Sequence, residues 1–200
     1  MARIKGSNSK ITQRRIRDTA LELFAKYGYA AVSMRRIASK VGLQVGALYR
    51  YTPDKQSLLF ELLREHMVSV LDEWSQQYKD YGPKQMLKEF TSFHIRFHIK
   101  RPESVTVYYT ELRNLSRDNY KIVNDMRKQY EDALEKILTH GHHTGCFDIK
   151  DTKLTAMAII AMLNGVLNWY KREGRLDLSD VEEIYSEMAL RSVSYIRKVG

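Results

Sequence analysis

Apolar residues recur along most of this chain at three- and four-residue steps, and no stretch alternates apolar and polar positions between Gly or Asn-Gly turns. That period predicts an all-α fold of about nine helices. Ile16, Ala20, Leu23, Phe24 and Tyr27 share one face, and Gly28 follows where a left-handed residue would end the helix. Ser33 then stands at an N-cap position ahead of the apolar set Met34, Ile37, Ala38 and Val41, with Arg35, Arg36, Ser39 and Lys40 turned outward. Gly42 supplies a sharp turn, and Gln44 opens a short third helix whose Val45 and Leu48 are available to a core. A helix, a tight Gly turn and a second helix form the geometry that delivers a helix into the DNA major groove. Ahead of all this, Met1 to Lys10 is polar and basic with no apolar period, which predicts a mobile arm.

Thr52 as N-cap and Pro53 as the first helical residue predict a long helix from Pro53 to about Lys79. Its stripe is Leu59, Leu63, Met67, Val70, Trp74 and Tyr78, and at 1.5 Å per residue it spans roughly 40 Å, enough to serve two halves of a molecule. After Gly82-Pro83 a helix carries Met86, Leu87, Phe90, Phe93 and Phe97 and stops before Pro102; another spans about Glu103 to Leu115. A further one spans Arg117 to His140 with the stripe Ile122, Met126, Tyr130, Leu134 and Ile137. Leu154 to Tyr170 is apolar nearly all round, but it is short for a membrane span and holds Asn164, Gly165 and Asn168, so a helix covered on two sides is expected. The last helix, Ser179 to Lys198, has two adjacent stripes (Val181, Ile184, Met188, Tyr195 and Tyr185, Ala189, Val193, Ile196), again implying two burial partners.

Composition adds mainly a charge division. The 200 residues are 44% hydrophobic and 28% charged, ordinary for a packed globular chain and inconsistent with disorder throughout. The first sixty residues hold twelve Lys or Arg against three acidic residues, while the rest balances twenty-one against twenty-one. The whole net charge of +9 therefore lies on the helix-turn-helix region, the footprint of a module that meets a polyanion. The single Cys146 excludes an internal disulfide framework and any zinc site built on several thiolates. With no basic and then apolar opening segment, a reducing cytoplasm is expected, and no membrane partner.

The candidate chemistry is recognition. Gly46 inside a helix costs roughly 1 kcal/mol against Ala, so a Cβ there is expected to hinder approach to something, a phosphate backbone being the natural candidate. Tyr49, Tyr51 and Lys55 carry phosphate-binding donors, beside the N-terminal amides of the long helix. Gln44 is the leading base reader because its amide can pair with adenine N6 and N7; Arg35, Arg36, Val45 and Ala47 follow, and a solvated helix-start role is the competing reading of Gln44. His94 and His98 have the i,i+4 spacing of a chelate, and His140, His142 and His143 cluster later. No acidic residue joins His94 on its face within one turn, so structural or pocket-lining histidines are expected and no metal site. No nucleophile elbow, phosphate-binding Gly loop or HExxH motif occurs, so neither an enzyme nor a cofactor is predicted.

Ser33 to Lys55, with Gly42, Gly46, Ala47, Leu48, Tyr49, Tyr51 and Lys55 in these positions, resembles the N-terminal domain of TetR-family transcriptional regulators. The brace ending in Tyr27-Gly28 resembles that family's first helix. Two positions depart from the family pattern: Gln44 replaces the usual Ser or Thr, and Thr52 the usual Phe. The resemblance implies a DNA-binding domain over residues 10–56 with its motif at 33–52, and a ligand-binding and dimerisation domain over 57–200. It also implies a homodimer formed through the last two helices. The DNA-contact set becomes Ser33, Arg35, Arg36, Gln44, Val45, Gly46, Ala47, Tyr49, Tyr51 and Lys55. In the second domain, aromatics near arginines suit an apolar cavity with a polar mouth, giving Phe93, Arg96, Phe97, Tyr109, Arg113, Tyr130 and Trp169 as ligand candidates. Segments within Glu111–Phe147 and Asn164–Leu176 look like the branch that senses acyl-coenzyme A thioesters and represses lipid or aromatic-acid degradation genes. The expected function is a repressor that binds a pseudopalindromic operator as a dimer and is released by such a thioester. The alternative is a multidrug-type regulator of the same fold.

Overall fold

The computed structural model describes residues 5–77 and 81–193, with side chains from residue 9 onward. The described residues are all-helical, in the order α1 (Lys5–Tyr27), α2 (Met34–Val41), α3 (Val45–Leu48), α4 (Lys55–Gln77), α5 (Pro83–Ile99), α6 (Pro102–Glu111), α7 (Arg117–His143), α8 (Thr152–Asn164), α9 (Val166–Trp169) and α10 (Leu178–Ser192). A 3-10 turn, Leu112–Asn114, follows α6. The expected Tyr78 and Lys79 end of the long helix, the start of the arm, and Tyr195, Ile196 and Lys198 of the last helix lie outside the described residues. Among the described residues no helix is long and apolar enough to cross a membrane.

The chain forms two compact units. One runs to Val68 and takes in Glu103–Asp125; the other holds Ser69–Pro102 and the chain from Met126 onward. Helices α4 and α7 contribute residues to both.

In the first unit, Ile16, Ala20, Leu23 and Phe24 of α1 are buried with Ile37, Ala38 and Val41 of α2, Leu48 of α3, and Leu58, Leu59, Leu62 and Leu63 of α4. The Ser33 hydroxyl accepts from the Arg36 amide at 3.1 Å, so the expected N-cap is present. Gly42 ends α2 at φ 77°, a left-handed conformation that L side chains rarely adopt, and returns its amide to the Ser39 carbonyl. Two expectations change here. Helix α1 starts at Lys5, so Lys5 to Lys10 of the predicted arm are helical: lengthening an existing helix adds a hydrogen bond per residue without a new nucleus. Helix α4 starts at Lys55, not Pro53. Asp54 is its cap, Oδ1 accepting from the Ser57 amide at 2.6 Å, while the Thr52 hydroxyl donates to the Asp54 carbonyl.

The Lys55 ammonium, in the first turn of α4, donates to the carbonyls of Tyr29 (2.9 Å) and Val32 (3.0 Å) and lies 4.1 Å from the Tyr29 ring centroid. One cation thereby closes the loop between α1 and α2 onto α4. Gln56, the next residue, donates to the Asn114 carbonyl at 2.8 Å and accepts from the Ser116 amide at 3.0 Å, tying α4 to the turn that follows α6.

The second unit is built on aromatic packing. Trp74 meets Phe90 edge-on at 5.0 Å and Phe93 at 5.4 Å, and Tyr130 of α7 stacks on Phe90 at 5.0 Å. Leu134 and Leu138, Ile159 and Leu163 of α8, and Val181 and Ala189 of α10 complete this core. On α7, Val123 is buried and the expected Ile122 is exposed, because the inward face sits one residue over from the predicted stripe at that end. The helix runs on to His143, and Gly141 lets the chain fold back: Cys146 and Phe147 both donate to its carbonyl, and a Cβ there would meet the Phe147 ring at 2.0 Å. The expected helix from Leu154 to Tyr170 breaks at Gly165, where i to i−3 bonds replace the helical ladder, giving α8 and α9. On α10, Val181 and Ala189 face inward as expected, whereas Ile184 and Met188 are exposed and Glu182 and Ser186 take inward positions against α5.

Two buried histidines of this unit are hydrogen-bonded. His94 Nε2–H donates to Asn164 Oδ1 at 3.0 Å, which fixes the tautomer, and its Nδ1 accepts from the Tyr130 hydroxyl at 3.2 Å. His98 Nδ1–H donates to the His94 carbonyl at 2.7 Å, and its ring stacks on His94 with centroids 4.0 Å apart. Burial lowers the His98 pKa to about 4, the nearby Arg101 charge acts in the same direction, and the bond to the His94 carbonyl opposes both.

Two predictions follow from these contacts. Lys55→Met removes a charged donor from two carbonyls and should lower unfolding stability by about 2 kcal/mol, read from the denaturant midpoint. For His98 the unfolded imidazole titrates at 6.5 and the folded one at about 4, so between these values only the unfolded chain holds the proton. Stability is complete above the unfolded pKa and falls as the pH drops from 6.5 to about 4, by roughly 3 kcal/mol in all. His98→Gln, which keeps a donor for the His94 carbonyl, should flatten that acid slope; an unchanged slope would assign it to other groups.

Candidate DNA-reading surface and effector chamber

The expected DNA-contact residues fall on α2, α3 and the first residues after α3. Arg35 and Arg36 are exposed on α2, and the Arg36 guanidinium lies 3.8 Å from the Tyr27 ring centroid, which holds an otherwise mobile cation in place. Lys40 pairs with Glu22, and Arg15 donates to the Val41 carbonyl at 3.1 Å, so the cations around α2 are partly committed to the fold. A hollow of about 420 Å3 is lined by Leu23, Tyr27, Ser33, Arg35, Arg36, Ser39 and Lys40. Three cations and three hydroxyl-bearing residues, Tyr27, Ser33 and Ser39, line it, and no carboxylate is among its described lining.

Gln44 is the N-cap of α3 in backbone conformation, yet its side chain makes no capping hydrogen bond and is exposed. Gly46 is exposed, and a Cβ built on it would meet nothing within 4 Å. The fold therefore has no internal use for a glycine there. Val45 and Ala47 are partly exposed, Tyr49 is exposed, and Tyr51 is half-buried. Arg50, outside the expected set, is exposed beside Tyr49; only its charge distinguishes it in the sequence. Lys55 is half-buried in the clamp on Tyr29 and Val32. Tyr29 is a missed member of this region: burial raises its pKa, with the Asp54 charge acting in the same direction.

The seven expected ligand residues do not converge. Phe93, Phe97 and Tyr130 lie in the packed aromatic cluster. Arg96 makes a bidentate pair with Glu182 of α10, Nε at 2.6 Å and Nη2 at 2.5 Å, bridging α5 and α10. Trp169 is exposed on α9 and stacks on Tyr185 at 6.2 Å. Tyr109 and Arg113 belong to the first unit, where both are exposed.

A cavity of about 620 Å3 lies elsewhere in the second unit, between the end of α4, the start of α5 and the later turns of α7. Trp74, Tyr81, Pro83, Met86, Ala133 and Ile137 form its apolar walls, and Ser75, Gln129, Lys136 and His140 its polar positions. Sequence reasoning placed Trp74, Met86 and Ile137 on apolar stripes, but a stripe does not distinguish a packed wall from one that faces a void. Both ring nitrogens of His94 are engaged, and among the described residues no group of three or more His, Cys, Asp or Glu could hold a metal ion.

Comparison with known proteins matches both parts of the chain to one family. Residues 16–62 match the family described as bacterial regulatory proteins, tetR family, and residues 80–193 match the tetracyclin repressor-like C-terminal domain. The chain is 25% identical to the fatty acid metabolism regulator protein of Bacillus subtilis (strain 168), over 88% of this chain and 92% of that one. A tetR-family bacterial regulatory protein from Rhodococcus RHA1 superposes with a TM-score of 0.86 at 29% identity, covering 93% and 98% of the two chains. AibR in complex with isovaleryl coenzyme A and operator DNA shares the fold, with a TM-score of 0.80 at 23% identity, over 88% and 97%. With both halves matched, this chain belongs to the TetR family and is a transcriptional repressor of that family.

Proposed function

We propose that the chain binds a pseudopalindromic operator as a homodimer and leaves it when an acyl-coenzyme A thioester occupies the second unit. The observation that carries the DNA half is the placement of the whole +9 net charge on the first sixty residues, where Arg35, Arg36, Gln44, Tyr49 and Arg50 stand exposed around α3. Gln44 reads a base edge, with Arg35, Arg36, Val45 and Ala47 beside it; Ser33, Tyr49 and Tyr51 address the backbone and Gly46 admits it closely, while Lys55, bound to the Tyr29 and Val32 carbonyls, holds the loop before α2. Phosphates suit the cationic hollow beside α2. Two heads in successive major grooves require a separation of roughly 34 Å.

The dimer half rests on apolar surface that the second unit leaves uncovered. Leu154 is 64% exposed and Met157 49% on α8, and Ile184 and Met188 are 44% and 45% exposed on α10. A second copy of the last helices covers these side chains. The acyl-thioester reading draws support from the fatty acid metabolism regulator among the relatives and from the AibR complex with isovaleryl coenzyme A. An effector that favours a dimer with mismatched heads weakens DNA, and operator DNA weakens effector binding by the same factor.

Selection of bound duplexes from a random pool, followed by release assays, tests the whole reading. Tyr49→Phe should weaken all duplexes alike and lower the salt slope, whereas Gln44→Ala should relax preference at one base pair by about 1–3 kcal/mol. Uniform loss on every sequence for the Gln44 variant would remove it from base reading. The double change Leu154→Glu and Met188→Glu should give a monomer by light scattering with much weaker operator binding; a dimer that persists would place the interface elsewhere. Release by lipophilic compounds and not by thioesters would favour a multidrug-type regulator.

A further inference from the structure

We propose that Tyr27, the last residue of α1, is a positioning residue for DNA: its ring holds the Arg36 guanidinium in the hollow beside α2, where that guanidinium meets a backbone phosphate. This rests on the operator reading above and changes it at one position, moving Arg36 from the base-reading group to the backbone contacts.

By spacing, Tyr27 belongs to the inward stripe of α1 with Ile16, Ala20, Leu23 and Phe24. Those four are at most 3% exposed, whereas Tyr27 is 42% exposed. The core leaves much of this ring uncovered, and cations gather on it instead. Arg36 Cζ lies 3.8 Å from the ring centroid and the Lys26 ammonium 5.4 Å. At a surface, attraction between a cation and an aromatic face adds little to folding stability. What it supplies is order.

Arg36 is held at both ends. Its backbone amide donates to the Ser33 hydroxyl oxygen at 3.1 Å in the cap of α2, and its guanidinium rests on Tyr27. The ring is placed in turn by the end of α1, where Gly28 follows at φ 77° and returns its amide to the Phe24 carbonyl at 2.9 Å. A free arginine side chain gives up rotamer freedom when it clamps a phosphate; one already stacked has given it up beforehand. With its central carbon at van der Waals distance from the ring, the guanidinium lies against the ring face. Its N–H groups then point outward along its own plane, as a fork that matches two phosphate oxygens.

The surroundings favour a phosphate over a base edge. Tyr27 and Arg36 line the hollow with Ser33, Arg35, Ser39 and Lys40, and Lys40 is shared with Glu22. In a helix-turn-helix the first helix of the motif crosses the phosphate backbone while the second enters the groove. Arg36 stands on that first helix and is turned onto α1, so its fork faces the backbone.

The full-length protein and its Tyr27→Leu, Tyr27→Phe, Arg36→Gln and combined Tyr27→Leu with Arg36→Gln variants are titrated with the selected duplex and a scrambled one, at several salt concentrations, after comparison of their denaturant midpoints. Tyr27→Leu should keep the wild-type midpoint and weaken both duplexes about fivefold, whereas Tyr27→Phe, which keeps the ring face, should bind as wild type does. Arg36→Gln should weaken both duplexes alike and lower the salt slope by about one phosphate per head, and Tyr27→Leu should cost nothing further in that background. An equal cost of Tyr27→Leu with and without Arg36 overturns the positioning role. So does a Tyr27→Phe variant as weak as Tyr27→Leu, and a Tyr27→Leu midpoint far below wild type makes the ring a core element and overturns it too. Altered preference at one base pair for Arg36→Gln overturns the backbone assignment. Wild-type binding that Tyr27→Leu leaves unchanged overturns this role alone, while a wild-type chain with no salt-dependent preference for any duplex overturns the operator reading and this role with it.

Discussion

The constraint on which the rest depends is that one helix supplies core to two separate units. Leu58, Leu59, Leu62, Leu63 and Met67 of α4 are buried in the first, and Val70 and Trp74 in the second. An apolar stripe that continuous cannot be left in water, since each large side chain is worth about 1.5–3 kcal/mol when buried. At the first end, Lys55 and Gln56 add directed bonds to the loop after α1 and the turn after α6. At the other end, Trp74 is both a core residue and a wall of the cavity. Helix α4 thus supplies buried side chains to each unit.

Charge is handled differently in the two units. In the head, several cations are only partly neutralised: Arg14 faces Asp18, Arg17 faces Glu65 and Lys40 faces Glu22, while Arg35, Arg36 and Arg50 remain at the surface around α3. Exposed pairs of this kind add little stability, so the surplus positive charge is better understood as a field for a polyanion. In the second unit, charge and polarity organise the interior. Arg96 engages the buried Glu182 across α5 and α10, and Arg101 engages Glu73 while its guanidinium covers the Phe97 ring at 4.0 Å. His94 and His98 form a bonded set that ties α5 to α7 and α8. The side-chain partners of His94, Tyr130 and Asn164, lie far from it in sequence, which is why spacing alone could not name them.

Much of the head was legible from residue order. Its signals are local: a serine ahead of an apolar helix, a glycine needed for a left-handed turn, and charges on the outward face of a short helix. Such features depend on a few neighbours along the chain, and the N-cap at Ser33 and the turn at Gly42 stand where the pattern places them. The second unit was legible only as stripes. Phe93, Phe97 and Tyr130 are apolar in any reading, yet whether an apolar side chain meets another side chain or a void depends on how three helices pack, and no local pattern encodes that.

By itself, the sequence determined an all-helical chain, the order of its elements, the reading head and the division of charge, because period, capping and net charge are properties of short segments. Tertiary structure alone decided the commitment of Lys55 to the carbonyls of Tyr29 and Val32 and of His94 to Tyr130 and Asn164. It also decided that a cavity opens beside Trp74, between α4, α5 and α7. Each of these is the outcome of competition between groups distant in the chain for the same space or the same hydrogen bond, and only the folded molecule resolves it.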